Sequence, residues 1–304
     1  MGTLLGVPAA RGLFHRAILQ SGAGSHLLSR EDGAKAASEL ISELGLQGDV
    51  VAALREVPVD RLLAAQTAVT MRHEGLVLRP VIDGVTLSDP PLDAVGGGST
   101  QGVDVLLGTT ADEMTLLNQF NPHLADVDDA KARRRIDSLA GAAAHDVVAA
   151  YGRTRGQLSP RDLLVAAQTD AVFRIPAIRL AERHSATGQR AYMYLFSWCT
   201  PAFGGSLRAC HALEIPFVFD NLDKPGAEMF TGDGDDRAEL ATRMHRAWLA
   251  FARTGDPDHD GLPHWPPYTA ERRATMVFDR ECRVEDDPLA DERRAWETVE
   301  LTLV

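Results

Sequence analysis

Two short loops carry residues that could move a proton. One follows the apolar run Val103-Asp104-Val105-Leu106-Leu107 and reads Gly108-Thr109-Thr110-Ala111-Asp112-Glu113-Met114. The other reads Leu207-Arg208-Ala209-Cys210-His211-Ala212-Leu213-Glu214-Ile215-Pro216-Phe217. An imidazole titrates near neutrality, so His211 could take a proton from a hydroxyl nucleophile and return it to a leaving group. A carboxylate such as Glu113 would then hold the ring tautomer and stabilise the imidazolium. Plainer roles fit the same residues. Thr110 and Glu113 have the spacing of a capping box, in which the acid reaches back to a free backbone N–H at a helix start. A histidine among small and apolar neighbours is commonly a packed, hydrogen-bonded core residue. Spacing leaves both readings open. Cys210 as nucleophile is disfavoured, because successive strand residues point to opposite faces and a thiol–imidazole pair has to meet on one.

Metal chemistry finds no support. Asp256-Pro257-Asp258-His259-Asp260-Gly261 opens like a calcium loop, but its twelfth position is Pro267 where a bidentate Glu is required. His211 and Glu214 lie three apart, as ligands on a helix can, yet no further ligand pair accompanies them. Asp233, Asp235 and Asp236 read as solvated acids. No metal and no organic cofactor is expected.

The elements that must position these loops follow from composition and periodicity. The 304 residues carry 31 Lys+Arg against 43 Asp+Glu, a net charge of −12 that disfavours nucleic acid and anionic membrane surfaces as partners. A hydrophobic share of 45% with 24% charged residues is that of a folded globular chain, long enough for two domains or one large α/β unit. No linker-like segment marks a boundary, so residues 1–304 read as one unit. Cys199, Cys210 and Cys282 are too few and too scattered for a disulfide framework and read as free thiols in a reducing, cytoplasmic compartment. No apolar run is long enough to span a membrane, and the first residues lack the basic and apolar regions of a secretory signal. Short runs rich in β-branched and aromatic residues at Arg16–Gln20, Val103–Leu107, Ala191–Trp198 and Thr275–Phe278 predict buried strands. Between them, Glu31–Leu44, Val50–Ala65, Asp128–Tyr151, Ser159–Ala186 and Arg237–Arg253 have helical spacing. Strands alternating with helices predict a mostly parallel sheet covered on both faces, with reacting groups on loops beyond the strand ends.

Five motifs, in order along nearly the whole chain, resemble the type-B carboxylesterases and lipases, the cholinesterase-like family of α/β-hydrolases. They are Arg11-Gly12-Leu13-Phe14-His15-Arg16-Ala17-Ile18-Leu19-Gln20-Ser21-Gly22, then Arg79-Pro80-Val81-Ile82-Asp83-Gly84, then Gly108 to Glu113, then Cys210 to Phe219, and Thr254-Gly255-Asp256-Pro257 with Trp265-Pro266-Pro267-Tyr268. The resemblance implies the α/β-hydrolase fold and carboxylic ester hydrolysis by acyl transfer. It makes Glu113 the triad acid, His211 the triad base, and Ser21 a serine that hydrogen-bonds the acid from behind. Met114 departs from the glycine usual after the acid, which would alter the turn or narrow the crevice.

The resemblance also implies a nucleophile that this sequence lacks. No Gly-x-Ser-x-Gly occurs: Gly204-Gly205-Ser206 is followed by Leu207-Arg208, and Ser21 has Leu19 two positions before it. The strained elbow tolerates no side chains at the flanking positions, so no serine present can fill the role. In the family the elbow precedes Gly2-Thr3-Leu4-Leu5, and the 304 residues therefore read as a C-terminal portion of an α/β-hydrolase, N-terminally truncated and inactive alone. An open edge on the Arg16–Gln20 strand is then expected to associate with a second copy or an N-terminal partner chain. A non-catalytic, cholinesterase-like binding module is the alternative, against which the pairing of Glu113 with His211 speaks. The substrate is expected to be a small carboxylic ester, with Leu116–His123 and Phe196–Gly205 among the pocket loops.

Overall fold

The computed structural model describes residues 1–73, 77–119, 121, 124, 126–234 and 236–301. Five strands form one sheet in the order β1 Arg16–Gln20, β2 Asp104–Thr110, β3 Ala191–Phe196, β4 Ala274–Phe278 and β5 Arg283–Asp286. The first four pair in parallel, and β5 turns back antiparallel on β4. Parallel neighbours need crossovers, and the helices between strands supply them.

Strand alternation divides the interior in two. Ala17, Leu19, Val105, Leu107, Ala191 and Met193 face one apolar cluster, built with helix residues such as Ile136, Val147, Leu164 and Leu180. Leu106, Tyr192, Tyr194, Phe196, Met276 and Phe278 face the other, against Met244, Trp248 and Phe251 of the helix Asp236–Thr254. Period-two side chains on a sheet buried on both faces require apolar residues at nearly every position, and all of β3 and β4 is buried. Each Leu or Phe so placed contributes about 1.5–3 kcal/mol relative to exposure.

The four expected strands are present, β1 with the expected bounds and the other three with shifted ends. β2 begins at Asp104 and runs on through Gly108, Thr109 and Thr110, because β3 continues to offer backbone partners up to Phe196. Gly108 is required there: a Cβ would stand 2.2 Å from the Tyr194 carbonyl oxygen. β5 was not anticipated, since Arg283-Val284-Glu285-Asp286 is charged and largely exposed, as an edge strand can be. Two predicted helices divide. Pro58 pushes Val57 to extended backbone and splits 50–65 into Val50–Glu56 and Val59–Thr70. Gly141, at φ 54°, separates Asp129–Ala140 from Ala144–Arg155. The expected helix from Ser159 to Ala186 is continuous but contains a π turn, Asp170–Arg174, between Pro160–Thr169 and Ile175–Ala186. Pro176 explains it: in a regular α-helix its ring would meet the Val172 carbonyl, and an extra residue in the preceding turn relieves that contact.

A buried polar clasp fixes this turn. Arg174 donates to both carboxylate oxygens of Asp170, Nε to Oδ1 at 2.6 Å and Nη2 to Oδ2 at 2.7 Å. The Tyr151 hydroxyl donates to Asp170 Oδ2 at 2.5 Å and accepts from Trp296 Nε1 at 3.1 Å. Glu292, in the helix Ala290–Ala295, accepts two hydrogen bonds from Arg155 and one from Thr154. Among the described residues no helix is long and apolar enough to cross a membrane. Removing Glu292 would leave the Arg155 and Arg174 charges short of a buried partner. Glu292→Ala is expected to lose roughly 3–5 kcal/mol of unfolding free energy in denaturant titration. The exposed Arg294–Asp291 pair provides a control whose Arg294→Ala loss stays within about 1 kcal/mol. Equal losses from the two would refute the clasp.

Candidate active site

The loops after β2 and β3 are zipped together by backbone. The Ala111 N–H donates to Phe196 O at 2.8 Å and the Asp112 N–H to Ala209 O at 2.9 Å. Ala209 returns its own N–H to the Asp112 side chain at 3.3 Å, and Asp112 and Cys210 form a parallel bridge. The residue following each bridge partner is Glu113 on one side and His211 on the other.

Glu113 opens the helix Glu113–Gln119 and is 0% exposed. Its Oε1 accepts the Thr110 backbone N–H at 2.9 Å, and its Oε2 lies 2.5 Å from His211 Nδ1. Glu113 thus touches its own helix start with one oxygen and His211 with the other. The capping box is only half formed: Thr110 ends β2, and its hydroxyl has no hydrogen-bond partner among the described residues. His211 sits between two non-glycine residues with left-handed backbone, Arg208 at φ 54° and Ala212 at φ 64°. Such conformations persist only where surrounding contacts enforce them. The His211 side chain is 32% exposed, and Nε2 makes no hydrogen bond among the described residues.

Electrostatics favour a protonatable ring. Burial disfavours the imidazolium, but the Glu113 hydrogen bond and charge, with the charge of Glu214, outweigh it and raise the His211 pKa above 6.5. Glu214 is the buried acid of the same loop. Burial, then the charge of Glu113, pushes its carboxyl from 4.5 up to about 7. Its Oε1 accepts from Gln20 Nε2 at 2.9 Å, and Gln20 Oε1 accepts from Trp248 Nε1 at 3.2 Å. Its Oε2, the Tyr194 hydroxyl and the Thr109 hydroxyl are buried without partners among the described residues.

Ser21, at the end of β1, is buried with left-handed backbone at φ 66° and donates its N–H to Gly108 O at 2.9 Å. No hydrogen bond joins the Ser21 hydroxyl to Glu113, whose oxygens accept from the Thr110 N–H and lie against His211 Nδ1. Met114 lies in the helix Glu113–Gln119, and its N–H donates to Thr169 Oγ1 at 3.2 Å. Burial pushes the Cys210 thiol up to about 12, which removes it as a nucleophile. Asp258 spends its carboxylate on the Trp265 N–H and His264. Asp236 is not simply solvated, since it accepts from Trp198 Nε1 and pairs with Arg280. Asp235 lies outside the described residues, as do Phe120, Pro122 and His123 of the loop 116–123. Two open clefts, of about 440 and 630 Å³, share Arg179 and Arg183 and are lined by neither Glu113 nor His211. The imidazole meets solvent directly.

Three neighbours of the pair escaped the sequence reading. Glu214 stood in the His211 motif, and its spacing pointed only to a metal. Phe173 and His26 carried no signal: their rings stack beside His211, with centroids 5.4 Å apart for Phe173–His211 and 5.1 Å for His26–Phe173.

A parallel sheet whose strand-end loops join a buried carboxylate to a half-exposed imidazole defines the α/β-hydrolase class. Residues 2–296 match the model of the Carboxylesterase family, and the chain belongs to that family. It is 32% identical over 304 residues to the para-nitrobenzyl esterase of Bacillus subtilis, covering 97% of this chain and 59% of that protein. It is 32% identical to the phenmedipham hydrolase of Pseudarthrobacter oxydans over 90% of this chain and 56% of that one. A crystal structure of a carboxylesterase from Geobacillus stearothermophilus superposes with a TM-score of 0.86 at 36% identity, covering 97% of this chain and 61% of its own. The chain thus spans less than two thirds of the length of these relatives.

Glu214 also dictates a pH dependence. The unfolded carboxyl loses its proton near 4.5 and the folded one near 7, so between these values the native state binds more protons and stability falls as pH rises. His211, raised above 6.5, continues the fall on the alkaline side. Denaturant titrations from pH 4.5 to 7 should show this decline, and Glu214→Gln should flatten it. An undiminished slope in that variant would exclude Glu214 as its source.

Proposed function

We propose that this chain supplies the acid and base of a serine carboxylic ester hydrolase, in which His211 is the general base and Glu113 the acid that orients it. The observation that carries this reading is the 2.5 Å contact between His211 Nδ1 and Glu113 Oε2, with Nε2 making no hydrogen bond among the described residues. A carboxylate on Nδ1 fixes the proton there, so Nε2 carries the lone pair that accepts the nucleophile's proton. As the nucleophile's oxygen bonds to the acyl carbon, its proton passes to Nε2. The imidazolium, stabilised by Glu113, returns that proton to the departing alkoxide. Water then attacks the acyl group by the same exchange. Ser21 would act on this pair through the backbone, holding the end of β1 against Gly108.

The reading requires a serine nucleophile in a Gly-x-Ser-x-Gly turn, which these 304 residues do not contain, and residues 1–304 then supply one part of an α/β-hydrolase domain. The outer edge of β1 has no strand partner among the described residues, which supports docking of such a segment or of a second copy there. Small carboxylic esters are the substrate class, supported by relatives named as an esterase and a hydrolase. The free thiols Cys199, Cys210 and Cys282 support a cytoplasmic location.

The 304-residue chain alone is expected to hydrolyse p-nitrophenyl esters no faster than buffer. When it is joined to an amino-terminal segment carrying Gly-x-Ser-x-Gly, the product should label with a fluorophosphonate. His211→Ala in that product should lower kcat by roughly 10⁶-fold, the scale of losing a triad base. Turnover by the chain alone that His211→Ala abolishes would overturn the proposal. Sedimentation of the chain alone should show self-association, and a monodisperse monomer would exclude the open-edge reading.

A further inference from the structure

Phe173 is 5% exposed yet belongs to neither apolar cluster of the interior. Its aromatic contacts among the described residues are two imidazoles. The His211 ring lies at a centroid distance of 5.4 Å with planes tilted by 33°, and the His26 ring at 5.1 Å and 42°. Most buried phenylalanines serve a hydrophobic core, so one placed against two histidines has a different task.

The backbone that carries it is equally particular. Phe173 sits in the π turn Asp170–Arg174, where the extra residue changes the phase of the helix. Asp170 and Arg174 of the same turn enter the buried clasp with Tyr151 and Glu292, while Phe173 is delivered to His211. With its turn held by charge-assisted hydrogen bonds, the ring has a fixed base. The neighbouring His26 has its pKa lowered from 6.5 by burial and by the Arg79 and His211 charges, against the opposing Glu113 charge.

An imidazole needs such a wall. Its Cβ–Cγ torsion is broad and roughly two-fold, so one hydrogen bond at Nδ1 leaves rocking and flipping of the ring weakly opposed. A phenyl face restrains those motions and cannot compete with Glu113 as a hydrogen-bond partner.

We propose that Phe173 is a positioning residue for His211: held by the π turn, its ring packs on the imidazole and keeps Nδ1 on Glu113 while Nε2 stays free. The inference rests on the reading of Glu113 and His211 as an acid–base pair, and its test requires no turnover.

The test is nuclear magnetic resonance of the 304-residue chain with labelled histidine and phenylalanine. In the unsubstituted chain, the Phe173 ring protons should give cross-relaxation to carbon-bound ring protons of both His26 and His211. The His211 Nδ1–H, held by Glu113, should appear at low field. In Phe173→Leu this proton should exchange with water about tenfold faster, the upper scale for loss of one aromatic contact. Backbone amide protection should be kept, and Phe173→Tyr should restore slow exchange. Unchanged Nδ1–H exchange in Phe173→Leu would overturn the proposal, as would faster exchange matched by equal loss of protection at backbone amides throughout. Absence of the Phe173–His211 cross-relaxation in the unsubstituted chain would overturn it whether or not any variant folds. A missing low-field proton in the unsubstituted chain would instead remove the Glu113–His211 pair itself, and the proposal with it.

Discussion

A single hydrogen bond between His211 Nδ1 and Glu113 Oε2 joins residues 98 apart in sequence, and the arrangement around it is directed at making that contact possible. A carboxylate taken fully out of water is costly unless donors surround it. Glu113 has two, the Thr110 N–H and the imidazole, one for each oxygen. Both donors are delivered by the sheet: Thr110 is the last residue of β2, and the His211 loop is carried there by its backbone bridge to Asp112. Loss of register between those two loops would leave a buried charge half satisfied, so the bridge and the pair stand or fall together.

Two buried glutamates within one site differ in their partners. Glu113 has a donor for each oxygen. Glu214 has one donor, Gln20, and its Oε2 is without a partner among the described residues; burial and the charge of Glu113 push its carboxyl up to about 7, so it adds negative charge to the site only as pH rises past that value.

Support for the site reaches further than its immediate contacts. The clasp of Asp170, Arg174, Tyr151, Arg155 and Glu292 links the helix Ala144–Arg155, the π turn and the helix Ala290–Ala295. Buried ion pairs of this kind give little net stability but punish any loss of a partner. That property suits a device whose task is to keep a turn in one conformation. The tertiary fold thereby lets residues near 292 bear on the ring that flanks His211, with the π turn as the intermediary.

Glu113 and His211 were legible as residue types at strand ends, and the strands themselves were legible because a sheet covered on both faces demands unbroken apolar runs. Fold class followed from their alternation with helical segments, whereas the helix breaks at Pro58 and Gly141 were missed, although both residues carry the backbone demands that make them. What the sequence could not express was direction. Spacing left open where the two Glu113 oxygens point, and the packed loops put one on the Thr110 N–H and the other against His211 Nδ1. Phe173 looked like one more apolar residue of a long helix, because the phase shift that turns it toward His211 arises from a π turn and a clasp whose members are far apart in the chain. Glu214 and Gln20 meet only when β1 and the His211 loop are brought together. Sequence by itself determined which groups could carry charge and which segments had to be buried; the tertiary structure alone decided which of them face each other, since hydrogen bonding and desolvation act over a few ångströms in space whatever the separation along the chain.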